Sequence, residues 1–356
     1  MSERTDDEMS ENMTVTLPQA LAKLMKGENL TRDEAFGAMT TIMKGEATPA
    51  QIGGTMVALR MKGETVDEIT GFAEAMRSYA NTVRTEREDL LDTCGTGGSG
   101  IHKFNISTVS AVIAAAAGAR VAKHGNRAMS GKAGSADVLE ALGVNINLTA
   151  EQAAACLEQT GITFMFAQLY HPALKHAAAP RRELGVRTIF NMLGPLANPA
   201  NADRQLIGLY DRTRTATVAE VLGRLGLKRA MVVGSHDGLD EISISAPTQV
   251  SELRNGEVTT YDITPEQLGL TTLPLSAVQG GDATENAAII RRVLDGEKSA
   301  YRDVVLANAG ACIYVSGRAQ SLADGVRVAA ETIDSGRAAS KLQQWIATTG
   351  EVSHVS

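Results

Sequence analysis

From Asp89 onward the chain alternates short apolar runs with longer helical stretches, and the first run ends in a glycine-rich loop, Gly95-Thr96-Gly97-Gly98-Ser99-Gly100. This alternation constrains the fold more than any other feature. Asp89–Cys94 reads as a strand, Ser107–Gly118 as an apolar helix and Ala119–Lys123 as a second strand. Strand-like segments recur at Val144–Leu148, Ile162–Phe166, Gln205–Tyr210 and Ala230–Val233, with helical stretches between most of them. The pattern predicts a mostly parallel sheet covered by helices. Arg254-Asn255-Gly256-Glu257 sits between two alternating segments and reads as a hairpin turn. From Asn286 on, the chain reads as packed helices.

Ahead of the sheet, Thr14–Val83 is helical in pattern. Leu17, Leu21 and Leu24 recur at helical spacing, Thr31-Arg32-Asp33-Glu34 resembles a capped start, and Thr48-Pro49 opens another helix. Gly27, Gly45 and Gly63, each after a lysine, punctuate these segments. The expected fold class is α/β: a small N-terminal helical bundle domain plus a larger α/β domain with a mostly parallel central sheet flanked by helices. A length of 356 residues suits two such domains. Residues 1–13, with five acids and one arginine, read as a disordered acidic tail carrying −4 of the net −7. No internal repeat stands out.

Lys plus Arg number 34 against 41 Asp plus Glu, so the chain has no general attraction for nucleic acid or an anionic membrane. Six Phe, six Tyr and one Trp are too few for a base-stacking platform. Cys94, Cys156 and Cys312 are too scattered for a disulfide framework or a zinc site, and read as small buried hydrophobes. The acidic start lacks the apolar core of a signal peptide, and the longest largely apolar run, Val109–Ala119, is too short to span a bilayer. The expected location is cytoplasmic, with no membrane and no nucleic acid as partner.

Any anion site must therefore be a local cluster of donors. The glycine loop, between a strand and a helix that starts near Ser107-Thr108, can turn backbone N–H groups toward a phosphate. Asn105, Ser107 and Thr108 would add donors. Gly95, Gly97 and Gly100 also fit the dinucleotide fingerprint G-x-G-x-x-G, but that fold needs an acid at the end of the next strand to hold a ribose diol. Here the next strand ends in Lys123-His124, which suits phosphate. Lys123-His124-Gly125-Asn126-Arg127 and Ser130-Gly131-Lys132-Ala133-Gly134-Ser135-Ala136-Asp137 form a second, locally basic motif. A third runs from His171-Pro172 through Pro180-Arg181-Arg182 and Arg187 to Asn191–Pro199. It is open to reading as a solvated helix face. In the fourth, Asp240-Glu241 lie on a loop after a strand, a pair suited to a hard cation with phosphate oxygens as co-ligands.

Together these motifs resemble the anthranilate phosphoribosyltransferase family, from about Leu17 to Gly336. The resemblance implies transfer of ribose 5-phosphate from phosphoribosyl pyrophosphate to the amino group of anthranilate, with release of pyrophosphate. It further implies that Gly95, Thr96, Gly97, Gly98, Ser99, Lys103, Asn105, Ser107, Thr108, Lys123 and Ser135 hold phosphoribosyl pyrophosphate. Anthranilate falls to Gly95, His124, Asn126, Arg181 and Pro195, with Arg181 matching its carboxylate. Asp240 and Glu241, with Ser107, would hold Mg2+. His124 is the one plausible titrating helper, and a binding role is favoured for it. Relatives dimerise through the helical domain, so a homodimer is expected. The helical domain is expected to span 14–86 plus about 169–190, and the α/β domain 87–168 and 191–356.

One departure stands out: Ser99 occupies the place where the family usually has Asp, and Ile101-His102-Lys103 is unusually basic. Weaker metal or hydroxyl contacts near the ribose are expected there. Two other readings have specific signatures. A pyrimidine nucleoside phosphorylase would follow its Lys-His pair with Ser-Thr-Gly-Gly, where this chain has Gly125-Asn126-Arg127. A nucleic-acid-binding relative would sit poorly with the acidic net charge.

Overall fold

The computed structural model describes residues 15–86, 88–128 and 132–353. The acidic tail, and Ser130 and Gly131 of the second motif, lie outside the described residues. Two compact units result: residues up to Ala80 with Pro172–Leu193, and Asn81–His171 with Gly194 onward. The expected boundaries differ from these by a few residues at each crossing.

The first unit is helical. Helices α1 (Leu17–Met25), α2 (Arg32–Met43), α3 (Pro49–Lys62) and α4 (Val66–Ser78) each start on a threonine cap. In all four the threonine hydroxyl accepts from the N3 backbone, while the Gln or Glu at N3 reaches back to the cap: Thr16/Gln19, Thr31/Glu34, Thr48/Gln51 and Thr65/Glu68. Leu17, Met39, Ile42, Ile52, Leu59 and Phe72 fill the bundle core. Helix α4 lies close on α2, since a Cβ on Gly71 would stand 2.2 Å from the Arg32 carbonyl oxygen. The returning segment supplies α9 (Lys175–Leu184), which packs on α3 and α2. Gly45 closes α2 in left-handed backbone (φ +74°), and a Cβ there would meet the His176 ring at 2.7 Å.

The second unit is built on a seven-stranded sheet of order β3-β2-β1-β4-β5-β6-β7. Its strands are β1 (Leu90–Gly95), β2 (Arg120–Gly125), β3 (Ile162–Phe166), β4 (Arg204–Gly208), β5 (Arg229–Ser235), β6 (Thr248–Arg254) and β7 (Glu257–Ile263). The first five run parallel, and β6 and β7 are antiparallel additions. The Asn255-Gly256 turn joins β6 to β7, as its sequence predicts, with both residues at positive φ (54° and 81°). Helices α5 (Ile106–Ala116), α6 (Ser135–Leu142), α7 (Ala150–Thr160), α8 (Ala167–Tyr170), α10 (Phe190–Leu196), which spans the boundary between units, and α11 (Thr215–Arg224) occupy the crossovers. The C-terminal helices are α12 (Ala283–Leu294), α13 (Ala300–Val315), α14 (Leu322–Asp334) and α15 (Arg337–Val352). The apolar helices α5 and α13 pack on each other and are almost wholly buried. All three cysteines are free and buried.

One expected strand is absent. In Val144–Leu148, Val144, Ile146 and Leu148 are buried in the expected alternation, but the segment joins no ladder. Its polar groups are satisfied sideways: Asn145 N–H donates to Thr349 Oγ1 (3.1 Å), and Leu148 O accepts from Tyr170 OH (3.0 Å). Alternating burial reports a segment lying on a core, and it does not report a neighbouring strand. Among the described residues, no helix is long and apolar enough to cross a membrane.

Candidate active site

Strand β1 pairs with β2 on one side and β4 on the other, so the strand order reverses at the β1/β4 boundary. At such a switch point a crevice opens beyond the carboxyl ends of the strands. The residues ending these two strands, Gly95 and Gly208, are register partners. The loop after β5 carries Asp240 over both. A Cβ on Gly208 would stand 1.9 Å from the Asp240 carbonyl oxygen, and one on Gly95 would stand 2.9 Å from Asp240 Oδ2. A side chain at either position would push the acidic loop off the sheet edge.

The glycine loop turns toward the same carboxylate. Thr96 N–H donates to Gly208 O (2.9 Å), anchoring the loop to β4. Gly97 and Gly98 are left-handed (φ 66° and 79°), backbone that an L side chain resists. Gly97 N–H thereby donates to Asp240 Oδ2 (3.2 Å). Ser99 Oγ accepts from Ile101 N–H (3.3 Å), and its hydroxyl is a minor influence holding the Asp240 carboxyl below its ordinary range. Lys103 completes the cluster: its ammonium lies 2.9 Å from Asp240 Oδ1, 3.0 Å from Glu241 Oε1 and 3.3 Å from the Asp240 carbonyl oxygen. Both acids are buried. Burial drives the Asp240 pKa up, but the Lys103 charge and hydrogen bond outweigh it and hold the carboxyl below its ordinary range. Glu241 goes the other way, because burial together with the Asp240 charge outweighs Lys103.

A second group surrounds the start of α5. Lys123, at 1% exposure, donates to the Thr93 carbonyl and to Ser107 Oγ (3.2 Å). Ser107 makes no hydrogen bond to Asp240 or Glu241. The Thr108 hydroxyl is buried without a protein partner. Asn105 donates to Ala133 O (3.3 Å) and accepts from Asn286 Nδ2 (3.0 Å). Asn126 accepts at its backbone oxygen from Ser135 Oγ (3.3 Å) and at its side chain from Arg127 N–H (2.8 Å). Arg127, grouped by sequence with the phosphate cations, is committed to Asp137 and Glu140. Lys132 is exposed.

His124 is neutral. Burial, reinforced by the neighbouring His171, pushes its pKa down to about 3, and its Nδ1 lies 3.2 Å from Gly194 O. Nε2 is buried with no protein partner. Next to Gly194, Pro195 offers its carbonyl to Gln205 Nε2 (2.7 Å). Arg181 belongs to the helical unit, half-buried on α9, with its guanidinium 5.3 Å from the Phe190 ring centroid. Burial lowers its pKa from the usual arginine value.

Sequence reasoning missed Asp92. It is fully buried in β1, accepts from His124 N–H (3.1 Å) and from Gln205 Nε2 (3.2 Å), and so holds the backbone of β2 beside the site. Its signal was an acid inside the apolar run Leu90-Leu91-Asp92-Thr93-Cys94. Gly208 and Asn286 carried no such signal. Among the described residues, no group of three or more His, Cys, Asp or Glu side chains gathers as a metal cage.

A glycine-lined crevice at the switch point of a mostly parallel sheet, joined in one chain to a helical bundle, points to a class of glycosyl-group transferase. Residues 87–339 match the model of the glycosyl transferase family a/b domain, and residues 18–80 that of its helical bundle domain. The chain belongs to the anthranilate phosphoribosyltransferase family. It is 54% identical over 340 residues to the enzyme of that name from Brevibacillus brevis, covering 96% of this chain and 100% of that one. The Thioalkalivibrio sulfidiphilus enzyme is 54% identical over 333 residues, 94% of this chain and 98% of its own. The solved Thermus thermophilus anthranilate phosphoribosyltransferase superposes with a TM-score of 0.89 at 44% identity, covering 93% of this chain and 99% of that one. The Saccharomyces cerevisiae enzyme, solved with phosphoribosyl pyrophosphate and Mg, gives 0.86 at 25% identity, covering 94% and 98%.

Proposed function

We propose that this chain transfers the 5-phosphoribosyl group of phosphoribosyl pyrophosphate to the amino group of anthranilate, releasing pyrophosphate, as the second step of tryptophan synthesis from chorismate. The observation that carries the reading is the convergence of Gly97 N–H, Lys103, Asp240 and Glu241 over the Gly95/Gly208 edge. Displacement at an anomeric carbon builds positive charge on the ribose and negative charge on the leaving group, so positioning and charge stabilisation do most of the work. Backbone N–H groups of the Gly95–Gly98 loop, with Thr96, Ser99 and Lys103, face the pyrophosphate. Asn105, Ser107, Thr108, Lys123 and Ser135 hold the phosphoribosyl part. Arg181 pairs its planar fork with the anthranilate carboxylate, and Gly95, His124, Asn126 and Pro195 line the acceptor's place.

The residues present fit Mg2+. This ion keeps several waters and takes one or two carboxylates plus substrate phosphates, so the buried pair Asp240 and Glu241 needs no third protein acid. Ser107, engaged by Lys123, is a weaker candidate ligand. When bound, Mg2+ neutralises the leaving pyrophosphate. No strong base is required, because the aromatic amine of anthranilate is largely neutral at pH 7. Neutral His124 fits a binding role, with Nε2 open to accept a hydrogen bond.

A cytoplasmic location and a homodimer through the helical unit complete the proposal. The helical unit exposes Met25, Phe36 and Met61, apolar side chains that a contact between copies would cover. Loss of anthranilate fluorescence in the presence of phosphoribosyl pyrophosphate and Mg2+ tests the activity. No loss at any Mg2+ concentration overturns it.

A further inference from the structure

The contacts of Lys103 go beyond those of a phosphate-binding lysine. Its ammonium donates to Glu241 Oε1 and to the Asp240 carbonyl oxygen and stands 2.9 Å from Asp240 Oδ1 as an ion pair, so all three of its near neighbours belong to the acidic loop. Its backbone cannot drift. Lys103 forms an isolated antiparallel bridge with Gln279, Gly280 N–H donates to His102 O (3.0 Å), and a Cβ on Gly280 would stand 2.4 Å from Phe104 N. Only the side-chain torsions of Lys103 can carry the charge away from the acids. Asp240 meanwhile uses its second oxygen on Gly97 N–H, one of the donors that would otherwise face a phosphate.

We propose that Lys103 is a tethered counter-cation that occupies the Asp240–Glu241 pair in the free chain and gives it up only when a divalent ion arrives together with a pyrophosphate group. This rests on the assignment of Asp240 and Glu241 as the metal-holding pair. The Lys103 ammonium stands where a cation would on the two acids, and the Asp240 carboxylate stands where a phosphate oxygen would on Gly97 N–H. Binding exchanges all of them at once. The carboxylates turn to the ion, Gly97 N–H is released to the phosphate, and Lys103 swings to the same phosphate. Two carboxylates around one ammonium retain an excess of negative charge, which favours the divalent ion once the lysine has another anion to serve. The ion alone must displace the lysine without offering it a new partner. Ser99 fits the same arrangement: a neutral hydroxyl at this position adds no charge, where a third carboxylate would overload one ammonium.

The test is equilibrium binding of Mn2+, followed by loss of its free EPR signal, to the full-length chain with no pyrophosphate present. Lys103→Met is expected to bind Mn2+ about tenfold or more tightly than the wild type, because a charge within 3 Å of both ligands has been removed. Lys103→Arg is expected to stay as weak as the wild type. With inorganic pyrophosphate added, the order reverses, and Lys103→Met becomes the weaker binder of the Mn2+–pyrophosphate pair. Equal Mn2+ affinity of wild type and Lys103→Met without pyrophosphate overturns the proposal. Lys103→Gln, which keeps a donor to the acids but no charge, gives the same decision if Lys103→Met does not fold. Asp240→Asn with Glu241→Gln separates the two claims. If Mn2+ binding to the Lys103 variants survives that change, the metal assignment fails and the lysine proposal with it. If binding is lost there but Lys103→Met matches the wild type, the lysine proposal alone fails.

Discussion

Each unit of the molecule contains a buried carboxylate held by a lysine, and the two clusters differ in one charge. In the helical unit, Glu68 accepts from Leu30 N–H (3.0 Å) and Thr65 N–H (2.8 Å) and pairs with Lys62 (2.9 Å). Lys62 spends its other donors on Asn29 Oδ1 and Gly63 O. One acid meets one ammonium, every donor has an acceptor, and nothing is left for a ligand. In the α/β unit, Asp240 likewise accepts one backbone N–H and pairs with one lysine, but Glu241 shares that lysine. Balanced charge makes a fastener, and unbalanced charge makes a site whose partners can be exchanged.

The widest break in the comparison is expected at Glu68. Glu68→Ala strands Lys62 and two backbone donors, and should cost about 3–5 kcal/mol. Urea unfolding followed by circular dichroism reads this, and a midpoint close to wild type would remove the distinction drawn above. Asp240→Asn should do the reverse: kcat/KM falls by about 10²–10³ while the urea midpoint stays near wild type. A large loss of stability with little loss of rate would make Asp240 a fastener like Glu68.

Arg181 tests whether the helical unit is scaffold alone. Arg181→Ala should raise the KM for anthranilate about 10- to 100-fold, the scale of a charge-assisted hydrogen bond, and change that for phosphoribosyl pyrophosphate far less. Equal effects on both substrates would count against its role. Last come two buried histidines of the α/β unit, whose effect appears only as pH falls. Burial holds His124 at about 3 and His171 at about 4, against an ordinary value near 6.5. Below pH 6.5 the unfolded chain takes up protons that the folded chain refuses. Each histidine therefore removes stability as pH falls from about 6.5 toward its folded value, at up to about 1.4 kcal/mol per pH unit. His171→Asn should flatten the dependence of the urea midpoint between pH 6 and 4. An unchanged slope would show that His171 titrates normally.

Much of the fold was legible because its determinants are short-range. The strands at Ile162–Phe166 and Ala230–Val233, the Asn255-Gly256 turn and the helix after the glycine loop follow from patterns within about ten residues. The four threonine caps are as local, each pairing a threonine with a Gln or Glu three residues on. Val144–Leu148 failed for the opposite reason: its alternation was right, but pairing depends on what lies beside it. At the site, residue types and motif order were visible, and the commitment of Arg127 to Asp137 and Glu140 was not.

The sequence by itself determined the alternation of strands and helices, the glycine loop, the lysine after β2 and the acidic pair after β5. Only the tertiary structure decided that these meet. Asp240 lies 143 residues from Gly97 and 137 from Lys103 along the chain, and it reaches both because Gly95 and Gly208 leave no side chain beneath it. Hydrogen bonds and charge act over a few ångströms, so which donor finds which acceptor is set by the closure of long loops onto one sheet edge, and no local pattern in the chain encodes that distance.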